Sequence, residues 1–278
     1  MDKLAKVYYS TVNTELKFQE IRIALESERS GKTGNICEFD NGLVGSNDMT
    51  AFRKACRHFK HGKKLEDIKK YEAVRIDADP GKPEGFAGEV MLQRMNNHHA
   101  SVTEWGQSFI TAEKPRHILD IGCGGGGALE RISERYPYAK LYGVDYSKTA
   151  VEESLKHNIA LLSDGRLQVE CASVEKLPYE DSSFDVAYTV ESFYFWPDPA
   201  ENLKEVYRVL KNSGALFVIA DLYEHDGMDE SARQYLKDRG LYSPTAEVFE
   251  KIFKDAGFSE VIIHTKEDTD WICAEGRK

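Results

Sequence analysis

From residue 116 to the C-terminus, short apolar runs alternate with longer stretches whose apolar residues recur every three or four positions. The runs predict strands at 117–121, 141–145, 167–171, 184–190, 215–221, 260–266 and 270–275. Between them the helices carry their own punctuation. After the first strand, Leu129 and Ile132 face one way and Glu130, Arg131 and Glu134 the other. Ser147 caps a helix that presents Val151, Leu155 and Ile159 on one face. Asp198-Pro199 is an N-cap followed by proline at the first helical position, and Gly214 is placed just past that helix, which should end at 212–213. Ser243-Pro244 repeats the device, and Gly257 closes it. Only Glu267-Asp268-Thr269 joins the last two strands, too few residues for a helical crossover. That pair must be antiparallel. The expected fold is therefore α/β, on a seven-stranded mixed sheet with an antiparallel last strand.

The first 115 residues are less regular. Leu4, Val7, Tyr8 and Val12, then Phe18, Ile21 and Leu25, follow helical spacing and predict one or two helices over 3–26. Residues 30–48, rich in Gly, Asn, Ser and Asp, read as loop, and Ser46-Asn47-Asp48 as the cap of a helix over 48–72. The clearest break is Asp77-Ala78-Asp79-Pro80-Gly81-Lys82-Pro83. A boundary there makes 1–80 a helical appendage, serving as a lid or a dimerisation region, and 81–278 the main domain. Residues 84–110 look helical again, and His98-His99 falls within them. Two adjacent histidines on a regular helix cannot both face one ligand, so no metal is expected there.

Composition narrows the class. With 278 residues, 41% hydrophobic and 30% charged, the chain is long enough for one large α/β domain plus an appendage. No apolar run approaches the ~20 residues of a membrane helix, and the N-terminus lacks the apolar core of a signal peptide. Five scattered cysteines without a C-x-x-C pair read as reduced thiols of a cytoplasmic protein. A formal charge of −10 argues against nucleic acid as a partner, and the basic residues of 53–75 read as a solvated helical face. A small molecule is the expected partner, with neither nucleic acid nor membrane. A homodimer is one way to cover the apolar faces of the appendage.

The chemistry concentrates in Ile118-Leu119-Asp120-Ile121-Gly122-Cys123-Gly124-Gly125-Gly126. A buried strand breaks into glycine and runs at once into a helix, the opening of a βαβ unit that lets a ligand lie against the backbone. The next strand ends at Asp145, at the spacing where such units set an acid on a ribose. An NAD-dependent oxidoreductase would share both features.

Four pieces together carry a closer likeness. They are the Asp120–Gly126 loop, Gly143-Val144-Asp145-Tyr146-Ser147, Leu177-Pro178-Tyr179 leading to Phe184-Asp185, and the terminal strand pair ending Trp271-Ile272-Cys273-Ala274. Over about 116–278 the chain resembles the Rossmann-like class I S-adenosylmethionine-dependent methyltransferases, in particular the broad group that includes the ubiquinone and menaquinone C-methyltransferases. The stretch His98 to Trp105 is similar to a segment that precedes the first strand in some members. The antiparallel last strand and the Leu-Pro stretch speak against the oxidoreductase. A non-catalytic S-adenosylmethionine-binding subunit stays open beside the enzyme.

The resemblance implies S-adenosylmethionine as cofactor, bound by Asp120, Gly122, Gly124 and Gly126, by Asp145 with Tyr146, by Ser173 with Val174, and by Glu191. Asp145 would accept from both ribose hydroxyls while supporting little of the core. Ser173 stands where the family often has an acid for the adenine amino group, and its neutral bond is the weaker one. The aromatic stretch Phe193-Tyr194-Phe195-Trp196 follows the fourth strand of the sheet, where open α/β sheets bind ligands. From it Tyr194 and Trp196 are expected to face a small-molecule methyl acceptor, with Glu191 as the nearby carboxylate. Tyr223 and His225 lie just past the fifth strand, and His225 could act as general base.

Overall fold

The computed structural model describes residues 4–11, 15–27, 34–77 and 79–278. The chain divides into two compact units, Met1–Met95 and Asn96–Lys278.

The first unit is not helical but mixed. It contains β1 (Lys6–Ser10), α1 (Glu15–Ser27), β2 (Asn35–Phe39), β3 (Gly42–Ser46), α2 (Met49–Lys60) and β4 (Glu72–Arg75), followed by most of α3 (Gly85–His98). Its four strands lie in the order β2-β3-β1-β4, with β1 antiparallel to β3 and parallel to β4. The helical reading of 3–26 fails at Val7-Tyr8-Tyr9 because β1 is covered on both sides. Val7 and Tyr9 pack with Ala51, Ala55 and Phe59 of α2, while Tyr8 packs with Ile21, Ala24 and Leu25 of α1. A strand buried on both faces loses the alternation that distinguishes it from helix. The stretch expected as loop is a hairpin of β2 and β3, and its glycine and asparagine serve the turn. Val12 and residues 28–33 lie outside the described residues. Asp48 caps α2 as expected, accepting from Ala51 N at 2.7 Å, but the helix ends at Lys60 and not near 72. Arg53, Arg57 and Lys60 on it are exposed.

The second unit opens with α4 (Ala100–Gln107) and continues as β5 (His117–Ile121), α5 (Gly127–Arg135), β6 (Lys140–Asp145), α6 (Lys148–His157), α7 (Ile159–Ser163), β7 (Leu167–Cys171), β8 (Phe184–Val190), α8 (Pro199–Val209), β9 (Leu210–Ala220), α9 (Glu230–Arg239), α10 (Ala246–Asp255), β10 (Glu260–Thr265) and β11 (Ile272–Arg277). Its sheet has the order β10-β11-β9-β8-β5-β6-β7, and β5 to β9 pair in parallel. The hairpin partner β11 returns between β9 and β10, antiparallel to both. The mixed sheet expected from the short 267–269 connection is the one formed.

Helices cover both faces. Ile118, Val186, Phe217 and Ile219 pack toward Leu129 and Ile132 of α5 and Val102 of α4. Leu119, Ala187, Leu216 and Val218 face the other way, against Leu203 and Val206 of α8 and Phe249 and Phe253 of α10. Ser147 and Asp198 cap α6 and α8, but the cap of α10 is Thr245 rather than Ser243. Helix α8 stops at Val209, earlier than expected. The chain enters β9 at once and bulges, so that Leu210 pairs with Phe184 and Ala215 with Val186, and Gly214 lies inside the strand. The expected helix over 84–110 is broken in two at His99 (φ −86, ψ 5).

Candidate active site

The C-terminal ends of β5, β6, β8 and β9 come together as the ligand-facing edge of the sheet, as in other open α/β folds. The turn after β5 is shaped by its glycines. Gly122 has φ +74, and a Cβ there would lie 2.3 Å from Ser192 Oγ; Gly126 has φ +81 and caps α5. Neither conformation suits a residue with a side chain. The loop is then tied on all sides. Gly122 N and Cys123 N donate to Val144 O, Asn96 Nδ2 donates to Gly125 O at 2.9 Å, Asn158 Nδ2 to Gly126 O at 3.0 Å, and Ser192 Oγ to Ile121 O at 2.9 Å.

Asp145 closes this arrangement. Its Oδ2 accepts from Gly124 N at 3.0 Å and its Oδ1 from Ser147 N at 2.8 Å, and the residue is 9% exposed. Burial raises its pKa, and the two backbone N–H groups oppose the rise. The expectation that this acid supports little of the fold is therefore overturned: it fastens the glycine loop to the end of β6 and to the start of α6. Asp120 is different. It is fully buried on β5, and neither carboxyl oxygen has a hydrogen-bond partner. Burial pushes it up to about 8, so it is largely protonated at neutral pH. The Tyr188 hydroxyl, in register on β8, opposes the shift without forming a bond of good geometry, and the Asp145 charge adds to it.

The second half of the site is made of side chains. Glu191 follows β8 in the left-handed region (φ +56), which turns its carboxylate toward the end of β9. There Oε1 accepts from Asp221 N at 2.5 Å, and Oε2 lies 4.0 Å from His99 Nε2. Burial, then the neighbouring Asp221 charge, holds the Glu191 carboxyl well above its ordinary range. The Tyr194 hydroxyl is 3.2 Å from Asp221 Oδ1 and accepts from Leu222 N at 3.0 Å. Glu191, Tyr194, Asp221 and His99 thus form one polar group at the ends of β8 and β9.

Not every expected residue joins it. Trp196 is a core residue: the 3₁₀ turn Phe193–Phe195 brings it to the same side as Phe193, ring centroids 4.9 Å apart, and its Nε1 points at Ser192 Oγ. Its contribution is to prop the serine that holds the glycine loop. His225 belongs to a separate pair. Its Nδ1 accepts from Gly227 N, which leaves the proton on Nε2 to be donated to Asp270 Oδ1 at 2.6 Å, and its ring stacks on Tyr223. Tyr146 is 45% exposed beside Asp145. Ser173 Oγ accepts from Glu175 N at 3.2 Å and donates to Glu175 Oε2 at 3.0 Å, while Val174 is buried in the core. Residues that reading along the chain passed over are Asn96, Asn158 and Ser192, which hold the loop, and Asp221, whose signal was its place directly after the fifth strand of the sheet.

Comparison with known proteins agrees with this geometry. Residues 119–218 match the family described as a methyltransferase domain. The chain is 32% identical over 158 residues to the sterol 4-C-methyltransferase strm-1 of Caenorhabditis elegans, covering 57% of this chain and 44% of that protein. It is 29% identical over 147 residues to the sarcosine/dimethylglycine N-methyltransferase of Halorhodospira halochloris, covering 52% of each. The chain thus spans about half the length of these curated relatives. In fold it is similar to the crystal structure of a SAM dependent methyltransferase from Aquifex aeolicus, with a TM-score of 0.54, 17% identity, and 68% of this chain and 97% of that chain covered. Over residues 119–218, seated on this sheet order, the chain is similar to methyltransferase domains.

Proposed function

We infer that the protein transfers a methyl group from S-adenosylmethionine to a small-molecule acceptor. The observation that carries this reading is the Asp145 carboxylate bonded to Gly124 N, beside an Asp120 carboxyl buried without a partner. A buried polar group left unpaired costs about 1–3 kcal/mol, which a bound ligand would recover. The residues fit the cofactor. Asp120 and the backbone of Gly122, Gly124 and Gly126 would hold its amino-acid end, Asp145 its ribose hydroxyls, and Tyr146, Ser173 and Val174 its adenine. When bound, the cofactor supplies a methyl group made electrophilic by its sulfonium.

The rest falls to the chain's own side chains. Glu191, Tyr194 and Asp221 meet at the end of β8 and β9, linked by the Asp221 backbone N–H to Glu191 and by the Tyr194 hydroxyl to Asp221, where an acceptor hydroxyl, amine or acidic carbon would be oriented. Positioning alone can supply roughly 7–11 kcal/mol of the barrier, so a base is an addition to it and not a requirement. The likeness to the quinone C-methyltransferases rests on the sequence motifs and sets no acceptor. The first 80 residues are proposed to act as a lid or as a dimerisation region in a cytoplasmic enzyme. The test is calorimetry with S-adenosylhomocysteine and with NAD, followed by transfer of label from S-adenosylmethionine to a panel of small acceptors. Micromolar binding of the sulfur nucleotide with no competition from NAD is expected. Tight NAD binding with no response to the sulfur nucleotide would overturn the reading, and binding without any transfer would favour the non-catalytic subunit.

A further inference from the structure

The break between α3 and α4 has a chemical consequence. On a continuous helix the side chains of His98 and His99 would diverge by about 100°. Here His99 stands between the two helices with ψ near 5, and the imidazoles lie edge to face with centroids 5.2 Å apart. Together with Asp221 at the end of β9, each offers one ligand atom, and these atoms all lie within 4.8 Å of one another. His98 and His99 are therefore not neighbours on a regular helix, and both imidazoles can face one ion.

We propose that His98, His99 and Asp221 form a binding site for one divalent transition-metal ion at the end of β8 and β9, with Glu191 beside it. Two imidazoles and a carboxylate suit zinc, cobalt, nickel, iron or manganese better than the all-oxygen sites of magnesium and calcium. The ligand set is also braced from behind. Asp221 Oδ1 is held by the Tyr194 hydroxyl at 3.2 Å, and its backbone N–H is held by Glu191. Such outer partners orient first ligands and raise metal affinity. Glu191 Oε2, 4.0 Å from His99 Nε2, brings a further carboxyl oxygen to the same place. Three protein ligands leave coordination positions open, as in catalytic and not structural metal sites.

The open positions point to the acceptor class. This step rests on the methyltransferase reading: the acceptor would carry an oxygen, nitrogen or sulfur donor able to reach the ion, so that the ion orients it. The metal site itself does not depend on that reading.

The experiment uses the full chain, stripped with a chelator and titrated with cobalt(II) chloride while the visible d–d bands are followed, and with zinc(II) chloride by calorimetry. One equivalent should bind, and zinc should raise the thermal midpoint. His98→Ala, at an exposed position where folding is not at stake, and Asp221→Asn should each weaken binding at least about tenfold. His157→Ala, on the surface of α6, should not. Absence of stoichiometric binding, or binding indifferent to both substitutions, overturns the proposal. Titration of the same stripped protein with S-adenosylhomocysteine separates the two readings. Nucleotide binding without metal binding sinks the metal site alone, and the reverse sinks the methyltransferase reading alone.

Discussion

At the ends of β5 and β6 the site is built from backbone, whereas at the ends of β8 and β9 it is built from side chains. The glycine loop presents peptide groups, and the residues that touch it (Asn96, Asn158, Ser192, Asp145) serve to hold those groups still. The opposite corner presents Glu191, Tyr194, Asp221 and His99, and the backbone there serves to aim them. A backbone site recognises what its ligand always has, such as a ribose or an amino-acid end. A side-chain site can be retuned one residue at a time. The first arrangement suits a constant cofactor and the second a variable acceptor.

The comparison breaks most decisively at Asp145, the one acid among the side chains that hold the backbone corner. Asp145→Asn keeps the size but sets an amide donor against either Gly124 N–H or Ser147 N–H. With charge-assisted bonds worth roughly 1.5–3 kcal/mol each, cofactor binding should weaken by about one to three orders of magnitude. Stability should fall by about 1–3 kcal/mol as well, read from urea melts. A variant that binds S-adenosylhomocysteine as the parent does would mean that this acid anchors no ribose, and the alignment of β6 to the family would have to be redrawn.

Glu191→Gln is the matching change at the other corner, and its effect should fall on a different quantity. The amide oxygen can still accept from Asp221 N–H, and because burial and the neighbouring Asp221 already disfavour a charged carboxylate, the neutral amide should leave the fold at least as stable. Turnover should drop about a hundredfold while affinity for the cofactor changes little, the pattern of a group that acts on the acceptor. If kcat holds and cofactor affinity falls instead, Glu191 belongs with the glycine loop, and the division between the two corners is wrong.

The two corners also differ in how far they were legible. The strand–glycine–helix pattern and the acid at 145 lie within 28 residues of each other, and each signal is local. The strands of this unit could be read because parallel strands, buried on both faces, give unbroken apolar runs with capped helices between them. The side-chain corner joins His99, Glu191 and Asp221, separated by 92 and 30 residues, and its geometry depends on a helix break and a left-handed Glu191 that no local motif announces. The same reason made Trp196 look like a pocket residue: an aromatic run gives no sign of which ring a 3₁₀ turn will bury. In the first unit the strand Val7-Tyr8-Tyr9 mimicked helical spacing because both of its faces are covered.

The pH dependence of stability tests Asp120, a charge-bearing residue kept neutral within the backbone corner. The folded chain holds this proton up to about pH 8, while the unfolded chain releases it in the ordinary carboxylate range. Between those two values the unfolded state binds fewer protons, so this group takes stability away as pH rises, by up to ~1.4 kcal/mol per pH unit. Asp120→Asn should flatten the stability profile from pH 5 to pH 8 relative to the parent, measured by urea melts at each pH. An unchanged slope would show that the carboxyl is already ionised in the fold.

The smallest effect is expected at Ser173. Its hydroxyl is engaged in a local turn, accepting from Glu175 N and donating to Glu175 Oε2, with a lone pair left for an adenine amino group. Ser173→Ala removes one neutral bond to the ligand, worth about 1 kcal/mol, and should weaken cofactor binding only severalfold. The side chain is partly exposed, so water can satisfy Glu175 N–H and folding should be unaffected within about 0.5 kcal/mol. The ratio of this loss to that of Asp145→Asn is the sharper measurement, since both are read with the same nucleotide on the same sheet edge. A loss at Ser173 as large as that at Asp145 would place the main polar anchor on the adenine, and the backbone corner would then owe its hold on the ligand to a side chain after all.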